Sequence, residues 1–125
     1  MAKNRDPKSY LPMSPHHVEI LISLAERDLH GYRIIQDIRE RTGGVISLGT
    51  AALYAAIKRL VELGLVVDAG DGTGEESGGP PRRYYSLSDL GREVGKLEAQ
   101  RIREVARVAG QRFGAGPRKR TAEPG

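Results

Sequence analysis

The stretch GTAALYAAIKRLVELGLVVDAG, residues 49–70, decides how the rest of the chain is read. Leu53, Ile57 and Leu60, flanked by Ala56 and Val61, recur at the three-and-four spacing of one helix face, which predicts a helix over about 50–63. Gly64 stops it, and Leu65-Val66-Val67 reads as a strand. The opposite side opens on the small residues Thr50, Ala51, Ala52 and Ala55, rimmed by Tyr54, Lys58 and Arg59. Small side chains let a helix lie close to base edges, and Ala methyls can meet thymine methyls. A helix N-terminus also offers N–H groups to phosphate, and a hydroxyl and two cations suit phosphate oxygens. A plain solvated helix would show the same alanines, because Ala is a good helix former. The segment behind it favours DNA. A loop GDGTGEESGG (70–79) with Pro80-Pro81 leads to a return strand over 83–87, headed by Arg82-Arg83. A basic hairpin directly after a candidate recognition helix is a wing.

Upstream, Ser14-Pro15 forms a helix start, with Ser as N-cap and Pro in the first turn. The helix predicted to about Glu26 carries Val18, Leu21, Ile22 and Ala25 on one face and Ile20 and Leu24 on roughly the other, so it must be covered twice. The expectation is that Ile20 and Leu24 face a partner. A second helix is predicted from Gly31 to about Thr42, with Ile34, Ile35 and Ile38 inward and Gly43-Gly44 ending it. Val45 to Leu48 then reads as a short connector. Downstream, Ser88 and Asp89 open a last helix predicted to about Ala109, roughly 33 Å long at 1.5 Å per residue. Its apolar residues Leu90, Val94, Leu97, Ile102, Val105 and Ala109 are spaced too irregularly for a long coiled coil.

The reading is therefore a mostly α chain: a winged helix-turn-helix of three helices plus a two-stranded wing, followed by a long C-terminal dimerisation helix. Residues 1–11 form a flexible arm, 12–87 the winged-helix domain, 88–111 the dimerisation helix and 112–125 a disordered basic tail. A body of fewer than 80 residues cannot cover so long a striped helix. Leu90, Val94, Leu97, Ile102 and Val105, with Ile20 and Leu24, are therefore expected to pack against a second copy.

Here the residues resemble the PadR-type transcriptional regulators. The resemblance rests on LPMSPHHVEILISLAERDLHGYRI (11–34), GGVISLGTAALYAAIKRLVELGLV (43–66) and RRYYSLSDLGREV (82–94), most of all on HGY, LGTAALY and RRYYSLSDLG in that order. It implies a homodimeric repressor on a pseudo-palindromic operator, of the short form with a single C-terminal helix. It also implies that Thr50, Tyr54 and Lys58 meet DNA from the recognition helix, and Arg82 and Arg83 from the wing. In some members small phenolic or drug-like molecules lower DNA affinity, so a small-molecule effector is a further implied partner. The competing reading is a winged-helix dimer that binds a small ligand or a protein without specific DNA binding.

Composition narrows the rest. The absence of Cys excludes disulfides, thiolate nucleophiles and Cys-based zinc sites. The polar start MAKNRDPKSY has no apolar signal core, and the run Ile20-Leu21-Ile22 is cut by Ser23, so no membrane partner is expected and the reading is cytoplasmic. Gly70, Gly72, Gly74, Gly78 and Gly79 lack the Gly-Lys-Ser/Thr ending of a phosphate loop, and Asp71, Glu75 and Glu76 would repel phosphate. His16, His17 and His30 fit no metal-ligand spacing, and His30 is expected to be structural at the start of helix two. No metal or other cofactor is implied. No nucleophile elbow or other catalytic spacing occurs, so no enzyme is expected. The net charge of +4 is carried by the ends: +2 over residues 1–11, +3 over 112–125 and −1 between them. Attraction to DNA must then come from where Lys58, Arg59, Arg82 and Arg83 are placed.

Overall fold

The computed structural model describes residues 6–71 and 82–114. Its elements are a 3-10 turn (Pro7–Tyr10), α1 (Pro15–Ser23), β1 (Leu29–His30), α2 (Gly31–Arg41), α3 (Thr50–Glu62), β2 (Val66–Asp71), β3 (Arg83–Leu87) and α4 (Asp89–Phe113). The start and stop signals act as their chemistry requires. Ser14 and Ser88 each accept a backbone N–H of the first helical turn, from His17 and Gly91. Both α2 and α3 end in a Schellman turn. Gly44 N–H donates to Arg39 C=O after α2, and Leu65 N–H donates to Leu60 C=O after α3. Gly43 and Gly64, the residues just past each C-cap, carry the positive φ these turns need.

The core lies between α1, α2, α3 and the sheet. Ile20, Leu24, Ile34, Ile38, Leu53, Leu60, Leu65 and Val94 are fully buried in it, and each such side chain contributes about 1.5–3 kcal/mol. Two expectations are corrected here. Ile20 and Leu24 do not face outward: α1 ends at Ser23, and both side chains enter the core of their own domain. The side of α1 left over carries the half-exposed Ile22, with Ala25 just beyond it. Periodicity identifies two stripes but not which of them α2 and α3 will cover. Val94 is likewise core, so it is unavailable to a partner, and Leu90 packs against the core edge.

The sheet has three strands in the order β1-β3-β2, one more than the expected hairpin. β1 pairs antiparallel with β3 through Leu29↔Tyr85 and His30↔Tyr84. β2 pairs with β3 from Val66↔Leu87 to Asp71↔Arg83, with a bulge between Asp68 and Gly70. The expected wing tip lies largely in residues 72–81, outside the described residues, as do 1–5 and 115–125 at the two ends.

The expected free arm is partly built into the fold. Asp6 caps the 3-10 turn, Tyr10 donates its hydroxyl to Leu63 C=O at 3.4 Å, and Tyr10 and Leu11 pack on the core. Next to it, the Glu98 carboxylate of α4 is 1% exposed. It accepts the Met13 N–H at 2.7 Å and pairs with Arg101. A buried carboxylate is tolerated only with such partners, and this one ties α4 to the entry of α1.

A second polar tie joins α1 to α2. Arg41 donates to Glu19 Oε1 (2.8 Å), Asp37 Oδ2 (2.8 Å) and Ser23 Oγ (2.9 Å), and Ser23 donates to Asp37. Burial alone would raise the Asp37 pKa, but the hydrogen bonds from Arg41 and Ser23 outweigh it and hold the carboxyl below its ordinary range. Asp37 therefore binds its proton less tightly folded than unfolded. Its contribution to stability is present above the unfolded value, about 3.9, and is lost as pH falls through the lower folded value. Asp37→Asn is expected to flatten the fall in urea midpoint between pH 5 and 3. An unchanged profile would assign the acid sensitivity to other carboxylates.

Candidate nucleic-acid interface

α3 presents its 53-57-60 stripe to the core and the reverse side to solvent. Thr50, Ala51, Ala55, Lys58 and Glu62 are exposed along that outward side, and among the described residues no element covers it. Gly49 precedes the helix without a side-chain cap, so the first-turn N–H groups remain available to an acceptor.

The two flanks of this face differ. On one, Tyr54 leans over the start of α2. A Cβ added at Gly31 would overlap the Tyr54 hydroxyl, so the glycine of His30-Gly31-Tyr32 is the cradle on which the Tyr54 ring rests. His30, Gly31, Tyr32, Tyr54, Arg82 and Arg83 together line an open groove of ≈ 460 Å³. On the other flank, Arg59 leans toward the start of α1. It pairs with Glu62 at 3.5 Å. Burial, then the Arg59 and His16 charges, push the His17 imidazole below its ordinary range.

The four cations expected on one face are thus sorted by the tertiary structure. Arg83 donates to Asp68 Oδ2 at 2.8 Å and lies 3.6 Å from Asp71 Oδ1. The Gly70 N–H and the Arg83 guanidinium hold the Asp68 carboxyl below the usual range, so the pair stays charged. Among the described residues Lys58 and Arg82 have no carboxylate partner, and both are exposed. Of the seven expected DNA-facing residues, Thr50, Ala51, Tyr54 and Lys58 follow one side of α3 and Arg82 joins them through the groove. Arg83 is engaged within the wing, and Arg59 sits on the far flank.

Sequence reasoning missed the part played by His30 and Gly31 in this groove. The signal was the two-residue β1, too short to show as a strand, which registers His30 beside Tyr84 with the rings edge to face at 5.4 Å.

Three helices, a small antiparallel sheet and a long trailing helix define a winged-helix protein. The transcriptional regulator PadR-like family matches residues 20–97, and the chain belongs to it. This is a family of transcriptional regulators rather than enzymes. A PadR family transcription regulator from Clostridium difficile is 28% identical with a TM-score of 0.68, covering 78% of this chain and 97% of that one. A PadR-like transcriptional regulator from Bacillus cereus, 19% identical, shares the fold with a TM-score of 0.67 over 85% of this chain and 93% of its own. An uncharacterised protein from Lysinibacillus sphaericus is 38% identical over 73 residues, 58% of this chain. That match spans 64% of the relative's length. No helix among the described residues is long and apolar enough to cross a membrane.

Proposed function

We propose that the chain is a homodimeric repressor that reads a pseudo-palindromic operator by laying α3 in the major groove, with Arg82 of the wing on the flanking backbone. The observation that carries this reading is the outward side of α3: small at its N-terminal end, uncovered, and bordered by Tyr54, Lys58 and Arg82. Small residues allow close approach to base edges while the polar rim meets phosphates.

Dimerisation is supported by α4. Beyond Glu98 the helix leaves the domain, with Ile102 41%, Val105 54% and Phe113 88% exposed. An unsupported helix of this length is marginal in water, so its stripe calls for a cover. A second copy of α4 supplies one of matching length and pattern. An apolar groove of ≈ 280 Å³ between α1 and α4, lined by Ile22, Ala25, Leu87, Gly95, Ala99 and Ile102, continues that surface. Leu97, half-buried, lies along the same helix. Of the expected interface residues, Leu97, Ile102 and Val105 remain available and Leu90 lies at the margin. Two-fold symmetry then places half-sites about 34 Å apart. The effector implied by the family resemblance has a place in the same groove, whose apolar lining is rimmed by Arg92 and Lys96. A small molecule seated there would bear on the angle between α4 and the winged helix.

Fluorescence anisotropy with the chain's upstream DNA tests the reading. Up to about eight cations per dimer would contact phosphate if all four served in each subunit, but with Arg59 and Arg83 paired internally the log–log salt slope expected is about −3.6. Lys58→Ala is expected to make that slope shallower by about 1.8 per dimer and to weaken binding on all sequences alike. A slope unaffected by the substitution would remove Lys58 from the interface. Weak binding of every sequence would favour the ligand- or protein-binding alternative.

A further inference from the structure

We infer that the apolar groove between α1 and α4 is filled by Phe113 of the partner subunit, in a dimer whose two α4 helices run antiparallel. The inference rests on the dimer reading above and names what occupies the groove. One stripe of α4 runs through Gly95, Ala99, Ile102, Val105, Ala109 and Phe113, at steps of three and four residues. Its two ends are opposite in shape. At the Gly95 and Ala99 end the helix carries no bulk, and the groove of ≈ 280 Å³ opens there against Ile22 and Ala25. At the other end Phe113 stands almost wholly exposed, beside the apolar surface of Val105, Val108 and Ala109. A hollow and a knob on one stripe are self-complementary under a two-fold axis.

The spacing agrees with this arrangement. With the axis between Ile102 and Val105, Phe113 lies eight residues beyond Val105 and so reaches the level of Gly95, seven before Ile102. An apolar cavity of about 150 Å³ already accepts a benzene ring, so the groove has room for a phenyl side chain. Gly95 fits the same role. A Cβ there would meet nothing within 4 Å, so among the described residues nothing within the subunit offsets the helix propensity that a glycine gives up. Close approach of a ring from outside gives that glycine a use. Arg92 and Lys96 on the groove rim then stand beside the last carbonyls of the partner's helix, where cations are favourable. Parallel helices would instead set Phe113 against its own copy, bring like charges level and leave both grooves empty. A small molecule seated in the groove would have to compete with the ring.

The test uses the full chain, with sedimentation equilibrium to read the dimer and circular dichroism to read the fold. Phe113→Ala is expected to raise the dimer dissociation constant about a hundredfold or more, since two rings are lost per dimer. Helix content is expected to stay near wild type, because the ring touches little of its own subunit. Gly95→Leu fills the hollow. It is expected to weaken the dimer at least about tenfold, although leucine is the better helix former. The orientation is read by cross-linking, which the absence of native Cys keeps clean. Chains carrying Lys96→Cys and chains carrying Arg112→Cys, both at exposed positions, are mixed and treated with a short bis-maleimide. The expected product joins position 96 of one subunit to position 112 of the other. A dimer unaffected by Phe113→Ala or by Gly95→Leu would overturn the inference and assign the groove to another occupant. Arg112→Cys chains joined to each other, with no product between positions 96 and 112, would overturn it as well. Either result leaves the dimer itself standing. A wild-type chain that is monomeric at micromolar concentration would overturn both.

Discussion

Gly91→Ala is expected to destabilise the domain by about 2–3 kcal/mol and to lower its melting temperature by roughly 10 °C. The reason is the junction of α3, β2 and α4. Ser88 N–H donates to Leu65 C=O at 3.0 Å, and Ser88 Oγ donates to Gly64 C=O at 2.6 Å while accepting the Gly91 N–H at 2.9 Å. This stacks the first turn of α4 directly on the Leu65 backbone. A Cβ at position 91 would overlap the Leu65 carbonyl oxygen and lie 3.0 Å from its carbon. The obstacle is backbone held in a Schellman turn and a strand, so it cannot swing aside as a side-chain tip can. Alanine gains about 1 kcal/mol of helix propensity over glycine, which falls short of the packing cost. Gly110→Ala lies in the same helix where an added methyl meets nothing within 4 Å. Its midpoint is expected to stay the same or rise slightly. Chemical unfolding of the two variants side by side gives the answer, and a Gly91→Ala midpoint at or above wild type would refute the close approach.

If the chain pairs through α4 as proposed, Ile102→Asp is expected to yield folded monomers and to lower affinity for the proposed operator by about a hundredfold or more, because two half-sites are then no longer engaged together. Ile102 is 41% exposed in the single subunit, so the carboxylate costs the monomer little. In the apolar seam proposed between two copies it would be a charge without a partner, which is strongly unfavourable. Light scattering checks the mass and circular dichroism checks that the helices persist. A variant that remains dimeric places the seam elsewhere. A wild-type chain that is monomeric at micromolar concentration removes the dimer altogether.

The helix ends were legible because they depend on chemistry confined to a few consecutive residues. Ser14-Pro15, Gly43-Gly44, Gly64 and Ser88-Asp89 act as caps and stops where local reasoning places them. The end of α1 was less legible: the apolar pattern continues through Leu24 and Ala25, yet the helix stops at Ser23 as the chain bends toward β1. β1 itself was illegible, since two residues carry no period. It exists through its pairing with β3, more than fifty positions away. The candidate interface was legible along α3, where Thr50, Ala51, Tyr54 and Lys58 fall on one side of a single helix. It was not legible across elements, where Arg83 finds Asp68 and Arg82 finds His30.

By itself, then, the sequence determined the order and character of the elements other than β1, the inward stripes of α2 and α3, and the small, polar outward side of α3. Each follows from spacing and capping within one segment. Only the tertiary structure decided how far each stripe of α1 enters the core, how much of α4 is left uncovered, and which cations stay available. Those outcomes depend on which surfaces meet. A stripe of isoleucine and leucine is equally apolar toward its own domain and toward a partner, and an arginine is equally basic with or without an aspartate beside it. The +4 of the chain says nothing about this. Packing does, by neutralising Arg83 within the wing and leaving Arg82 at the mouth of the groove.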